Sequence, residues 1–482
     1  MTNTTSAVSV DRTTALSRWA IPLICIAQLM ATLDVTIVNL ALPAIDGAFD
    51  LSGAALAWVI DAYTLAYAGL LLVGGRLGDL LGRRRTLMAG IGMFTLASLV
   101  AGLAQDPSVL LAARAGQGVG AAFATPTTLS LITTLYAAGP ARTKAMVAYG
   151  AMAGLGITLG LVLGGVLTEY ASWRWVFLVN VPIGVLLLVA APRVLPESRG
   201  QRRRVDLPGA ALGTAGLTAL VYGVIRAGNH DWGDLRSTVA LVLAAVLLTF
   251  FVVVELRVPE PTLPLPLLAH RTRLGAYLVA GLLFACLYPC FFLLSRTLQH
   301  VQGQDPVEAG LRFLPIGIGV LAFAILARRL LPSVGARPLV LVGTLATAGG
   351  AAGLVALDAD SGYTALLLPC LVGLGAGVGT TFVANAVLAM TDVPEADAGI
   401  ASGLLSTFQA VGGTVGVAVL ASIAASSTAD ELAGVAPTPG AVRAALMTGF
   451  GDGFVVAAVL AAAAVVVAAV TAPGRTTDRS GE

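Results

Sequence analysis

Three ionisable side chains sit where the surrounding sequence leaves them no water. Asp34, Asp61 and Arg114 each interrupt a long apolar run, whereas most other charges fall in loops, tails or run ends. Asp34 lies about sixteen residues into a run that starts from one face of a membrane, and Asp61 and Arg114 lie about six or seven residues into runs that start from the other. At about 1.5 Å per residue, all three reach a similar depth in the outer half of a roughly 30 Å hydrocarbon layer. A lone charge there costs at least about 2.5 kcal/mol, so each calls for a partner or a watery cavity. Two acids and one arginine leave one carboxylate over. A carboxylate so placed can take up a proton and release it as its exposure switches. Asp34 is the expected proton carrier and Arg114 its charge partner, while Asp61 either shares the proton or meets a cationic part of a substrate. The alternative for each acid is a purely structural ion pair.

The residues around this trio extend a polar surface. Arg114, Gln117, Gly118, Ala121 and Thr125 follow helical spacing and line one face. In the second half no acid lies in mid-run, and Tyr288, Asn385, Ser406, Thr407 and Gln409 supply the polarity instead. Asp61, Gln117, Thr125, Tyr288, Asn385 and Gln409 are therefore the candidates for lining a substrate cavity. Other chemistries find no support. Cys25, Cys286, Cys290 and Cys370 lie in apolar stretches and His230, His270 and His300 are scattered, so neither a metal site nor a catalytic triad assembles. The phosphate loop G-x-x-x-x-G-K-[ST] is absent, and Gly373, Gly375, Gly377 and Gly379 lie in an apolar run with no preceding strand, which reads as helix packing. No cofactor is expected, no enzyme activity, and no nucleic-acid partner, because the net charge is only +2.

The elements that hold these residues follow from composition. Of 482 residues 57% are hydrophobic and 11% charged, with a mean hydropathy of +0.89. A soluble domain carries roughly 25% charged residues. Apolar segments fall near 19–43, 55–75, 86–104, 108–135, 144–168, 174–191, 207–226, 237–256, 274–297, 310–327, 338–356, 362–390, 398–425 and 447–471, which predicts fourteen helical crossings. With both termini in the cytoplasm, 21 of the 28 basic residues fall on the inner side. The N-terminal stretch has no A-x-A cleavage site and reads as a cytoplasmic tail before a retained first helix.

The second crossing ends in Gly75-Arg76-Leu77-Gly78-Asp79-Leu80-Leu81-Gly82-Arg83-Arg84-Arg85. Its glycines permit a tight turn, its arginines fix the turn on the inner face, and Asp79 suits the positive end of a neighbouring helix. This loop resembles the signature of the major facilitator superfamily. A faint copy follows in the second half, pairing Gly82 with Gly335, Arg84 with Arg337 and Gly90 with Gly343, as two related halves would leave. The resemblance extends to the fourteen-span drug:proton antiporter family through Leu33-Asp34-Val35-Thr36-Ile37-Val38-Asn39-Leu40-Ala41-Leu42-Pro43, through Arg114-Ala115-Gly116-Gln117-Gly118, and through Trp173-Arg174-Trp175-Val176-Phe177-Leu178-Val179-Asn180-Val181-Pro182. Within that family the chain looks most like actinobacterial antibiotic-resistance exporters of the methylenomycin-resistance type. The fifth crossing carries Gly150, Gly154, Gly156, Gly160, Gly164 and Gly165 and resembles the antiporter helix. Leu161 stands where that motif has proline, so a straighter helix is expected.

The resemblance implies an all-α integral membrane protein of the major facilitator fold: two six-helix bundles plus two additional central helices. The expected organisation is a cytoplasmic tail over 1–18, a first bundle over 19–191, a basic linker over 192–206, the added pair over 207–256, a linker over 257–273, a second bundle over 274–471 and a tail over 472–482. Gly75, Gly78, Asp79, Gly82, Arg83 and Arg85 are then the conformational motif, and Gly150, Gly154, Gly160, Gly164 and Gly165 belong to the antiporter helix. The implied function is proton-coupled export of hydrophobic or amphipathic small molecules across the cytoplasmic membrane by alternating access. Proton-coupled uptake of a metabolite is the alternative in the same fold. In relatives, multivalent organic cations go with further membrane acids in the second half, and their absence here leans toward neutral, anionic or singly charged substrates.

Overall fold

A computed structural model describes residues 6–50, 53–136, 140–197, 206–229, 233–258, 263, 266–359, 361–394, 397–433, 436 and 438–471. Residues 1–5 and the C-terminal tail 472–482 lie outside them, as do His230 and the basic stretch from Arg199 to Arg204. Among the described residues the chain is helical without strands. The helices are α1 (Ser6–Phe49), α2 (Gly53–Leu81), α3 (Arg83–Leu103), α4 (Pro107–Leu135), α5 (Pro140–Tyr170), α6 (Trp175–Leu178), α7 (Asn180–Val194), α8 (Leu207–Asn229), α9 (Leu235–Glu255), α10 (Pro266–Ala269), α11 (Arg271–Arg296), α12 (Pro306–Arg312), α13 (Leu314–Val334), α14 (Ala336–Leu354), α15 (Leu368–Ala389), α16 (Ala398–Leu432) and α17 (Pro439–Thr471). Thirteen spans among the described residues are long and apolar enough to cross a membrane. Of α5, the described apolar part runs over Thr158–Tyr170, shorter than a crossing, although the helix itself has 31 residues.

The chain divides into two compact units, Met1–Val205 with Pro394–Gly403, and Asp206–Val393 with Leu404–Glu482. In the first, α1 packs on α5, α2 and α3 pack on α4, and α3 also packs on α7. This unit holds an apolar cluster that includes Ile37, Ala41, Ile45, Val59 and Leu110. There Trp173 stands edge-on to Phe49 at 5.5 Å and to Phe177 at 6.2 Å. α4 starts cleanly because Asp106 accepts a hydrogen bond from the Ser108 amide at 2.8 Å and Pro107 opens the first turn.

In the second unit, α8 pairs with α9, α11 with α17, and α15 with both α13 and α14. The glycine run of α15 serves two neighbours at once. A β-carbon at Gly375 would lie 2.5 Å from the Ile316 carbonyl oxygen of α13, and one at Gly373 would lie 3.3 Å from the Gly350 α-carbon of α14. Glycine therefore lets one helix approach two others closely.

The faint sequence repeat is a repeat of backbone geometry. Gly82 (φ 99°) and Gly335 (φ 85°) each join two consecutive helices in a conformation that L side chains resist. Eight residues on, Gly90 lets α3 approach α4, and Gly343 lets α14 approach α15: their β-carbons would lie 2.7 Å from the Gly120 oxygen and 2.9 Å from the Gly377 oxygen.

Candidate functional site

Asp34 and Arg114 are in contact inside the first unit. Arg114 Nη1 donates to Asp34 Oδ2 at 2.7 Å, and the two residues are 1% and 0% exposed. The guanidinium is held on every side: Nε donates to the Val59 carbonyl at 2.8 Å, and Nη1 also donates to Gln117 Oε1 at 2.9 Å. The rings of Tyr63 and Phe177 lie 4.7 Å and 5.8 Å from its centre, where a desolvated cation gains from the aromatic quadrupole. The other carboxylate oxygen, Asp34 Oδ1, accepts from Gln117 Nε2 and Asn180 Nδ2, each at 2.9 Å. Gln117 Nε2 donates a second time, to Ser98 Oγ at 2.8 Å.

Six segments meet at one carboxylate. α1 brings Asp34, α2 the Val59 carbonyl and Tyr63, α3 Ser98, α4 Arg114 and Gln117, α6 Phe177, and α7 its first residue, Asn180. α5 supplies a glycine seam behind them. A β-carbon at Gly156 would lie 2.8 Å from Thr32 Cβ, one at Gly160 would lie 3.0 Å from the Leu33 oxygen, and one at Gly164 would lie 2.7 Å from the Ile37 oxygen. These α1 residues flank Asp34, and Thr36 Oγ1 donates across the seam to the Gly156 carbonyl at 3.3 Å. The four-residue glycine spacing on α5 thus sets how close α1 lies and where Asp34 points. Gly150 and Gly165 are buried on the same helix, and Gly154 lies between them in sequence.

Asp61 is half-buried on α2, two residues from Val59 and from Tyr63. Gln117 is fully buried in the Asp34 network, and Thr125, further along α4, is 7% exposed. At Gly118 a β-carbon would lie 3.0 Å from Ala66 Cβ, so that stretch of the helix face packs on α2. The signature residues form a second polar cluster in this unit. Arg83 Nη2 donates to Asp79 Oδ1 at 3.1 Å, and Arg83 Nη1 donates to Thr134 Oγ1. Arg84 grips Glu197 Oε2 at 2.8 Å, and Arg85 reaches the same oxygen at 3.5 Å. Gly78 leaves room for Thr127, whose Oγ1 would be 3.2 Å from a β-carbon there. The start of α16 belongs to the same unit: Ser402 Oγ donates to the Pro126 carbonyl at 3.0 Å, and a β-carbon at Gly403 would lie 3.6 Å from the Gly75 α-carbon.

In the second unit Asn385 is buried and donates to the Ala276 carbonyl at 2.9 Å, tying α15 to α11. Tyr288 is half-buried, edge-on to Phe284 at 5.1 Å, and packs on Gly413. Gln409 follows Phe408, whose ring stacks on Tyr277 at 5.7 Å. Among the described residues no three His, Cys, Asp or Glu side chains are placed to hold a metal ion.

Sequence reasoning singled out Asp34 and Arg114 as charges inside apolar runs and Gln117 by its helical spacing from Arg114, and the structure brings the three into contact. It passed over Asn180 and Ser98 as site residues, because an uncharged residue near the end of an apolar run raises no energetic alarm. The signal for Asn180 was its place in the motif Trp173 to Pro182.

Residues 24–417 match the Major Facilitator Superfamily. The chain is 41% identical over 459 residues to the puromycin resistance protein pur8 of Streptomyces alboniger, covering 94% of this chain and 90% of that one. It is 39% identical over 482 residues to the cephamycin export protein CmcT of Amycolatopsis lactamdurans, covering 98% and 96%. With the lincomycin resistance protein of Streptomyces lincolnensis it shares 39% over 410 residues, 84% of each chain. Among solved structures, the proton:xylose symporter XylE matches with a TM-score of 0.62 at 16% identity, covering 92% of this chain and 95% of that one. The human organic anion transporter MFSD10 matches with a TM-score of 0.61 at 18% identity, covering 92% and 99%. On the family match, on relatives aligned over nearly their whole length and on a helical fold shared with solved transporters, this chain belongs to the major facilitator superfamily.

Proposed function

We propose that the chain is a proton-coupled exporter of hydrophobic or amphipathic small molecules, antibiotics among them. It works in the cytoplasmic membrane with both termini inside. Relatives named for resistance to puromycin and lincomycin and for export of cephamycin support drug export over metabolite uptake.

The observation that carries the coupling is the buried pair Asp34–Arg114. As a carboxylate, Asp34 accepts three hydrogen bonds and an arginine charge in a site closed to solvent. Taking a proton removes its charge and releases the grip of Arg114. The ionised pair ties α1 to α4, and Asn180 ties α1 to α7, so the charge on one atom sets how tightly three helices are held. Loosening them lets α1 shift along the glycine seam of α5, which is the local event an alternating-access movement of two bundles needs. The bundles are taken as residues 19–191 and 274–471, with 207–256 as the added pair. Asp61 and Thr125 in the first unit, and Tyr288 and Gln409 in the second, are the groups proposed to meet a substrate; Gln117 is already taken up by Arg114, Asp34 and Ser98, and Asn385 by the Ala276 carbonyl. Asp79, Arg83 and Arg85, with Gly75, Gly78 and Gly82, form the inner turn that changes partners between states.

The test is transport in everted vesicles under an imposed proton gradient, with puromycin and lincomycin as first substrates. Asp34→Asn is expected to abolish gradient-driven accumulation while substrate still exchanges down its own gradient. Full gradient-driven accumulation by Asp34→Asn would remove Asp34 from the mechanism. Accumulation in the opposite sense would make the protein an uptake system.

A further inference from the structure

Three donors meet Asp34, and only one of them has an edge to spare. Gln117 is committed at both ends: Oε1 accepts from Arg114, and Nε2 donates to both Asp34 and Ser98. Arg114 carries donors and no acceptor. Asn180 is 0% exposed and donates from Nδ2 to Asp34 Oδ1, while its Oδ1 has no hydrogen-bond partner. A buried acceptor left empty is uncommon and unfavourable in a native interior.

An amide rotates about its last side-chain bond in a broad, roughly two-fold potential. Half a turn exchanges Nδ2 for Oδ1 with little change in volume. We infer that Asn180 is the hydrogen-bond partner of Asp34 in both of its protonation states. It donates through Nδ2 to the carboxylate and, after the half turn, accepts through Oδ1 from the carboxyl O–H formed when a proton binds Asp34 Oδ1. No covalent bond other than that O–H forms or breaks. Gln117 cannot make the same turn without giving up its bonds to Arg114 and Ser98.

The inference rests on Asp34 being the proton carrier. It gives the motif Trp173 to Pro182 a role, because Asn180 is the first residue of α7 and follows the aromatic wall of Trp173 and Phe177. The state of one carboxylate on α1 is thereby felt at the start of the sixth crossing. The other titratable or charged groups around Asp34 among the described residues are Arg114 on α4 and, on α2, Tyr63 beneath the guanidinium with Asp61 two residues before it. At this level α3 and α6 present Ser98 and Phe177, and α5 presents its glycine seam.

The experiment is infrared difference spectroscopy of the full-length protein in lipid discs across a pH titration, paired with the pH profile of proton-driven transport. The carboxyl band missing from Asp34→Asn identifies Asp34. In Asn180→Leu, which removes donor and acceptor while keeping the branched heavy-atom skeleton, that band is expected to move to higher frequency, because the carboxyl O–H has lost its acceptor. The midpoint of the transport profile is expected to move up by about half to one pH unit, since the hydrogen bond to the charged form is the stronger of the two lost. Asn180→Ser keeps a group that both donates and accepts, so its band is expected nearer the wild type. Asn180→Ala, which also removes donor and acceptor, serves as the second variant if Asn180→Leu does not fold, with the same two shifts expected. An Asp34 band that titrates in the wild type, with frequency and midpoint unmoved in Asn180→Leu and Asn180→Ala, overturns the role of Asn180 and leaves Asp34 as carrier. Absence of any band lost in Asp34→Asn overturns both.

Discussion

A buried arginine without its carboxylate costs more than the pair repays, so the residues of the Asp34 site are expected to be strongly coupled. Arg114→Ala leaves Asp34 uncompensated in an interior with no access to water, and should destabilise the protein by about 3–5 kcal/mol. Arg114→Ala combined with Asp34→Asn should cost less than the sum of the two single changes, which thermal unfolding in detergent would read as a double-mutant cycle. A double change costing the full sum of the two single changes would mean that the two side chains do not depend on each other. The pairing was legible in the sequence because a charge in an apolar run must find a partner, and the depths of Asp34 and Arg114 agree. Gln117 was legible by its helical spacing from Arg114, but the part that Asn180 and Ser98 play in completing the site was not. Gln117, Asn180 and Ser98 are arranged by the meeting of α4, α7 and α3, which no local spacing encodes.

At the scale of elements, glycine decides distance. Gly160→Ala places a β-carbon against Thr36 and 3.0 Å from the Leu33 carbonyl, beside the Asp34 turn. It is expected to lower both the melting temperature and proton-driven export, whereas Gly349→Ala, with nothing within 4 Å of the added carbon, should leave both near the wild type. The turn between α8 and α9 makes a different prediction. Arg226 Nε donates to Asp234 Oδ2 at 2.6 Å, and this hydrogen bond chiefly holds the Asp234 carboxyl down from 3.8 to about 2. A lowered carboxyl stabilises the folded form above its unfolded value, and the contribution is lost as pH falls through the folded one. The turn should therefore be intact above about pH 4 and loosen toward pH 2. The Ser237 amide, which donates to Asp234 at 3.1 Å, reports it: its hydrogen-exchange protection, corrected for intrinsic rate, should fall over that window and be weakened at every pH in Asp234→Asn. Crossings and turns such as these were readable from hydropathy, glycine and charge. Which glycine faces which neighbour was not, since Gly373 and Gly375 lie two residues apart and serve different helices.

On the scale of the whole molecule, the proposed role of Asp34 as proton carrier, together with its 0% exposure, requires that it load its proton in another conformation. A hydrophobic carbodiimide should accordingly label Asp34 slowly in the resting protein and faster during turnover with substrate and a proton gradient. Equal rates, measured by peptide mass spectrometry, would mean that exposure of Asp34 does not change with transport. The sequence by itself determined that the chain is a helical membrane protein, roughly where it crosses, that its interhelical turns repeat at Gly82 and Gly335, and which three charges are out of place. Those properties are local or compositional: hydrocarbon excludes charge and unpaired backbone, glycine allows positive φ, and both constraints are written residue by residue. Only the tertiary structure decided that Gln117 is shared among Arg114, Asp34 and Ser98, that α5 backs α1 at Gly156, Gly160 and Gly164, and that Asn180 arrives from α7 with one edge unused. Those facts depend on the rotation and spacing of helices far apart in the chain, which side-chain packing sets once the helices have formed.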